Sequence, residues 1–343
     1  MAGIATFGEI MLRLSPPGKE RFFQSPRLSA VFGGGEANVA VSLALLGHRS
    51  RWISVVPASE IGEAALGALR RYGVDTGRVR RAGRRLGLYF AEKGANERAS
   101  LVVYDREGSG LAEAKAGDID WSGALSGFEW FHISGITPAV SASAAGLTME
   151  AVKAAGAAGM TVSIDLNYRS KLWNYGRPAP EVMRELAAHA DLLVGNEEDC
   201  QKALGIEVEG SGGVPGPLDP AAYETLTAKV MAEFPRVERV AVTLRGSVSA
   251  DRNTWSAVLR NRKGPLAGPT YDIRNIVDRI GTGDAFAAGL IHGLASGWED
   301  ARALGFGVAA ACLKHSIPGD FNLVTEKEVL ALTAGDRSGR VRR

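Results

Sequence analysis

Short apolar runs and amphipathic stretches take turns along this chain, and that alternation constrains the fold more than any other feature. The runs at 4–7, 52–56, 130–133, 161–166, 192–194 and 240–244 have the length and Val/Ile/Leu content of strands buried on both faces. Helical patterns lie between them, at about 36–46, 61–72, 141–158, 180–190 and 223–234. Such a pattern predicts an α/β fold with a mainly parallel sheet covered by helices on both faces. Ligands in such sheets sit at the carboxyl ends of the strands, so the loops that follow strands are where chemistry is expected.

Two regions depart from the pattern. Residues 11–14, 87–91 and 100–105 alternate with period two and have no helix between them, which predicts a small antiparallel sheet outside the main one, read here as a lid. Residues 205–220 are rich in Gly and Pro and read as a surface loop. With 343 residues the chain can bury a large core. We expect one catalytic domain over 1–330, lid strands from about 11–30 and 86–112, and a tail at 331–343.

Bulk properties narrow the function. A formal net charge of +2 with mixed signs gives no broad basic face, so nucleic acid is not an expected partner. Cys200 and Cys312 are far apart, with no CxxC and no nearby His pair, so neither a disulfide framework nor a zinc site is indicated and a reduced cytoplasm fits. The first residues lack a basic segment before an apolar core, and no window suggests a membrane span.

Five stretches carry chemistry. In Asp278-Arg-Ile-Gly-Thr-Gly-Asp284, Gly281 and Gly283 flank Thr282 before an Ala/Phe/Leu run, so the chain should turn tightly and enter a helix at Asp284. A helix N-terminus reached this way offers free N–H groups to an anion, while Asp284 on its lip would repel a phosphate unless it faces a hydroxyl whose proton it can take. Gly33-Gly34-Gly35 with Asn38 opens another helix and lets backbone approach a ligand, but it lacks the dinucleotide fingerprint, and no Walker-type loop occurs. By alternation Asp165, Asn167 and Arg169 should share one face at a strand end. Asn196-Glu-Glu-Asp199 and Thr243-Leu-Arg245-Gly246-Ser247 close two further strands. The first suits the water shell of Mg²⁺ or a plain helix cap, and the second suits phosphate contact.

Taken in order, Gly33-Gly34-Gly35 with Asn38, Asn196-Glu-Glu-Asp199 and Gly281-Thr-Gly-Asp284-Ala-Phe resemble the signature of the ribokinase-like (PfkB) carbohydrate kinases across nearly the whole chain. More narrowly, His132-Ile-Ser-Gly-Ile-Thr-Pro138, Asp165-Leu-Asn-Tyr-Arg169 and Tyr104-Asp-Arg-Glu-Gly-Ser109 resemble the 2-keto-3-deoxygluconate kinase branch. The resemblance implies a three-layer α/β/α domain with a β lid, ATP and Mg²⁺ as cofactors, Asp284 as catalytic base and the amides of 280–283 as the anion hole. It further implies a sugar pocket of Gly34, Gly35, Asn38, Tyr89, Tyr104, Arg106, Ile136, Arg169 and Asp320, and ATP contacts from Asn167, Asn196, Thr243, Arg245, Gly246 and Ser247. Glu198 and Asp199 would reach the metal through water, although the family pattern N-x-x-E has aspartate at 199 here. Arg106 and Arg169 at mapped sugar positions favour a sugar acid over ribose or fructose, because a guanidinium matches a carboxylate. The expected reaction is phosphorylation of the terminal 6-hydroxyl of 2-keto-3-deoxygluconate, with a neutral-sugar kinase or a non-catalytic binding regulator as alternatives. A homodimer joined through exposed lid strands is also expected.

Overall fold

The computed structural model describes residues 1–207 and 220–336. Its first elements are β1 (Gly3–Phe7), β2 (Met11–Ser15), β3 (Ser29–Gly33) and α1 (Gly35–Leu45). Next come β4 (Arg49–Ile53), β5 (Val55–Val56), α2 (Glu60–Arg70), β6 (Arg80–Arg81), β7 (Gly87–Glu92) and β8 (Leu101–Asp105). The middle of the chain forms α3 (Trp121–Leu125), β9 (Trp130–Ser134), α4 (Ile136–Ala139), α5 (Ala142–Ala157), β10 (Thr161–Asp165), α6 (Ala179–Ala187), β11 (Leu192–Gly195) and α7 (Glu197–Leu204). The last part comprises α8 (Pro220–Glu233), β12 (Arg239–Ser249), β13 (Arg252–Asn261), β14 (Gly264–Ala267), β15 (Tyr271–Arg274), α9 (Thr282–Ala295), α10 (Asp300–Lys314) and α11 (Glu326–Thr333).

Among the described residues the main sheet runs β14-β13-β12-β11-β10-β9-β1-β4, with β15 beside β13. From β4 to β12 every pairing is parallel, and the two faces are covered by different helices. β11 illustrates the arrangement. Leu193 packs with Leu147, Met183 and Leu226 from α5, α6 and α8. Its neighbours Leu192 and Val194 pack on the other face with Val39, Phe286 and Ala309 from α1, α9 and α10. Period-two alternation within a strand thus feeds two cores at once, and each fully buried Leu or Phe contributes about 2–3 kcal/mol of apolar transfer. Among the described residues no helix is long and apolar enough to cross a membrane.

Two expectations are revised, and the edge of the sheet is an addition. β12 does not end at 244: it continues to Ser249 as a hairpin with β13, so Thr243 to Ser247 lie within a strand rather than in a loop after one. The antiparallel pairing of β13, β14 and β15 extends the sheet past its parallel part. The lid sheet is ordered β3-β2-β7-β8, antiparallel at both edges but parallel between β2 and β7. The parallel step follows from the connection: β4, β5, α2 and β6 intervene between β2 and β7, so no hairpin is required. Most of the loop expected at 205–220, and the tail from 337, lie outside the described residues.

Candidate active site

The carboxyl ends of β10, β11 and β12, the start of α1, the start of α9 and the underside of the lid enclose one cavity of about 680 Å³. Gly34, Gly35, Asn38, Tyr89, Tyr104, Arg106, Ile136, Asn167, Arg169, Asn196, Glu198, Asp199, Thr243, Arg245, Ser247, Gly281, Thr282, Gly283, Asp284 and Asp320 all line it. Of the expected positions only Gly246 is absent from the wall; it sits on β12 between Arg245 and Ser247. Segments that are hundreds of residues apart in sequence therefore converge on one space.

At its floor, α9 begins at Thr282 rather than at Asp284, because Gly281 serves as N-cap in the left-handed region with φ 84°. Asp284 thus stands in the first turn. The first backbone bond of the helix runs from Ala285 N to Gly281 O, so the amides of Gly281, Thr282 and Gly283 precede the ladder and remain available to an anion. The Ile280 amide, also expected in the anion hole, instead donates to Asp278 Oδ1 at 3.2 Å. A side chain at 281 would meet Asp320 O at 2.2 Å, so backbone packing as well as φ demands glycine.

Asn38, one turn into α1, donates Nδ2 to Asp284 Oδ2 at 2.6 Å and accepts from Gly34 N at 3.2 Å. Gly34 lies so close to the first strand pair that a Cβ would come within 2.0 Å of Glu9 O. The glycine run therefore serves close backbone packing and brings Asn38 to the carboxylate. Burial pushes the Asp284 carboxyl up to about 7; the Asn38 bond opposes this, and the Asp320 and Glu36 charges add to it. Asp165, at the end of β10, is pushed well above the ordinary carboxylate range by burial and by the charges of Asp199 and Asp284.

Arginines line the opposite wall. Among the described residues Arg169, Arg245 and Arg279 form no ion pair with a protein carboxylate; Arg279 donates to Ala250 O at 2.7 Å and Arg169 to Tyr168 O at 2.8 Å. Burial and the charges of Arg279 and Arg169 lower the Arg245 pKa. Three neighbouring guanidinium groups that hold no ion-paired carboxylate among the described residues make a wall suited to phosphate and carboxylate groups. Arg279 is an addition: in the sequence it reads only as part of a turn, and the hairpin carbonyls that aim it are invisible there.

Arg106 departs from expectation. Its Nε and Nη2 both bond Glu9 Oε2, the Nε at 2.8 Å, so its charge is met from within and Arg169 is the guanidinium of the expected pair that stays open. Asp165, Asn167 and Arg169 do meet in the cavity, but not by strand alternation. β10 ends at Asp165, and Asn167 turns the chain with φ 36°, a conformation asparagine tolerates. Asp320 also has commitments: its carboxylate bonds Arg13 at 2.9 Å and accepts the Tyr89 hydroxyl.

Around Asn196 the sequence offered a cap or a metal position, and the cap is formed. Asn196 Oδ1 accepts from Asp199 N, and Asp199 Oδ2 accepts from Asn196 N, both at 2.8 Å. Asp199 Oδ1 also accepts from Tyr168 N at 2.8 Å, while burial raises the carboxyl to about 6. Its shorter side chain suits this inward role. Among the described residues no group of three His, Cys, Asp or Glu side chains is arranged to hold a metal ion directly, so a cation here would be held through water and ligand oxygens.

Similarity to known proteins agrees with this geometry. The family model described as pfkB family carbohydrate kinase matches residues 1–325. A 2-dehydro-3-deoxygalactonokinase of Haloferax volcanii is 34% identical over 342 residues, covering 98% of each chain. A 2-dehydro-3-deoxygluconokinase of Bacillus subtilis is 29% identical over 333 residues, 95% of this chain and 93% of its own. The crystal structure of 2-dehydro-3-deoxygluconokinase from Thermotoga maritima superposes with a TM-score of 0.91 at 42% identity, covering 98% of this chain and 100% of the other. With a buried carboxylate in the first turn of a glycine-led helix, and with the family model matching residues 1–325, this chain belongs to the pfkB family of carbohydrate kinases.

Proposed function

We propose that this protein transfers the γ-phosphoryl group of ATP to the terminal 6-hydroxyl of 2-keto-3-deoxygluconate, giving the 6-phosphate. The observation that carries this reading is the placement of the Asp284 carboxylate, held by Asn38 at 2.6 Å, beside the amides that open α9. Asp284 takes the hydroxyl proton as that oxygen attacks phosphorus. The amides of Gly281, Thr282 and Gly283 receive charge on the transferring group, and Arg245 and Arg279 face the phosphate chain along with Thr243 and Ser247. Gly34, Gly35 and Ile136 bound the sugar end, with Asp320 at its edge. Tyr89 and Tyr104 close over the carbon chain from the lid and keep water from the reacting phosphorus. Mg²⁺, bound with the nucleotide, supplies neutralisation of phosphate charge, and Glu198 with Asn196 and the outer lone pairs of Asp199 would hold its water shell.

Arg169 is assigned to the substrate carboxylate. Replacing it by lysine exchanges a fork for a point charge, and kcat/KM for the sugar acid should fall roughly tenfold while any turnover of a neutral sugar is unaffected. Equal kcat/KM for the acid in both proteins would remove this assignment. The Asp284 pKa also has a kinetic sign. Because its carboxyl is raised to about 7 in the free protein and only the ionised form accepts a proton, kcat/KM should fall as pH is lowered through neutrality. A kcat/KM profile flat from about pH 6 to 8 would contradict the base role, since a base of the free protein titrating near neutrality must produce a limb there.

Relatives are named for both the gluconate and the galactonate epimer, and rates of ADP release with each decide between them. We also place two copies together through their lids. β8 is an edge strand, and Val31, Leu101 and Val103 are 37%, 49% and 46% exposed on the lid, an apolar liability that a partner lid would cover. Cys200 and Cys312 form no disulfide among the described residues, which suits the cytoplasm.

A further inference from the structure

A row of side chains crosses the lid and ends on the anion-binding loop. Tyr104 on β8 pairs with Tyr89 on β7, and Tyr89 pairs with Arg13 on β2, so the three project from one face. Tyr104 and Tyr89 line the cavity and stack with ring centroids 5.7 Å apart. Beyond them Arg13, only 2% exposed, leaves the lid altogether. Its Nη1 donates to Asp320 Oδ1 at 2.9 Å, its Nη2 reaches Asp278 Oδ2 at 2.8 Å, and its Nε is steadied by Ser15 Oγ at 2.9 Å.

Both carboxylates are structural members of the active-site floor. Asp278 begins the loop that ends in Gly281-Thr-Gly-Asp284; its Oδ1 holds the Ile280 amide, and its Oδ2 also holds Gly319 N at 3.2 Å. Asp320 carries the carbonyl against which Gly281 packs, and it accepts the Tyr89 hydroxyl. Fully buried Lys314, which donates to Ile317 O at 3.0 Å, faces the fields of Asp278 and Asp320, so two cations balance two carboxylates beneath the loop. Bulk stability would be served by apolar residues of similar volume. A planar fork that bridges two loops fixes geometry as well as charge.

We propose that Arg13 is a positioning residue: through the row Tyr104, Tyr89 and Arg13, closure of the lid over the sugar sets the loop whose amides receive the phosphoryl group. This inference rests on the sugar-acid kinase reading. It requires the two ligands to help each other bind, because sugar under the lid and phosphate on the loop favour the same Arg13 contacts.

The test measures binding of a non-hydrolysable ATP analogue with and without saturating 2-keto-3-deoxygluconate, alongside turnover, in the full-length protein. In the unaltered protein the sugar acid should tighten analogue binding about fivefold or more. In Arg13→Gln the enhancement should vanish and kcat should drop about 10²-fold, the scale of a small misplacement of reacting groups, while KM for the sugar acid at saturating ATP rises by about the same fivefold factor, as reciprocal coupling requires. Arg13→Lys keeps the buried charge and guards against loss of folding; reaching one carboxylate at a time, it should retain only part of the enhancement. Equal enhancement in the lysine variant and the unaltered protein, or none in the unaltered protein, overturns the role of Arg13. Absence of turnover in the unaltered protein would instead overturn the kinase reading, so the two failures are distinguishable.

Discussion

Replacing Asp284 by asparagine lowers kcat by roughly three orders of magnitude, the scale expected when a positioned general base is removed, and leaves KM for ATP within a fewfold of its original value. The substitution keeps shape, and its amide can still meet Asn38, so the fold should survive. Stability supplies an independent sign. The Asp284 carboxyl is raised from its ordinary range to about 7, which means the folded state disfavours the ionised form. Between the ordinary pKa and about 7 the folded state binds more protons than the unfolded one, so this group costs stability increasingly as pH rises through that window. Asparagine removes the cost. The variant should therefore melt at or above the unaltered protein at neutral pH while being almost inactive. A marked fall in melting temperature together with normal turnover would reverse both halves of the assignment.

Gly281→Ala produces the second large effect, for a different reason. Its backbone sits at φ 84°, where an L-residue costs about 1–2 kcal/mol. The added Cβ would also meet Asp320 O at 2.2 Å, a backbone atom that cannot rotate away. Loop 278–283 must shift, and with it the amides that face the transferring group. We expect kcat to fall about 10²-fold through misplaced donors and the melting temperature to drop by about 2–5 °C. Steady-state kinetics with a thermal melt checks both. Alanine accommodated with unchanged kcat would show that the amide geometry is not demanding.

How much of this was legible in the sequence depended on whether the determinant was local. The parallel sheet was readable because strands such as 192–194, buried on both faces, leave continuous apolar runs. The motif at 281–284 was readable because a left-handed cap followed by a helix former has few local solutions, although the helix starts two residues earlier than expected. Arg106 shows the limit. Its position on the lid was anticipated, yet Glu9, which neutralises it, is 97 residues away and carries no local sign of that partnership. The same holds for Arg13, whose partners lie on loops near the opposite end of the chain, and for Arg279, aimed by carbonyls of the β12–β13 hairpin. The hairpin itself is hidden in the sequence because the polar run after 244 resembles a loop, and only its pairing with β13 makes it a strand. The local cap between Asn196 and Asp199 is readable from their spacing, whereas the Tyr168 N that occupies the other Asp199 oxygen comes from the preceding crossover and leaves no local sign.

The most direct test of the account is the initial rate of ADP formation by the purified protein, measured with 2-keto-3-deoxygluconate, its galactonate epimer, fructose and ribose under identical ATP and Mg²⁺. At least one sugar acid should be used with kcat/KM about 10²-fold or more above either neutral sugar, because Arg169 is left to pair with a carboxylate. Equal or better use of fructose or ribose would contradict it.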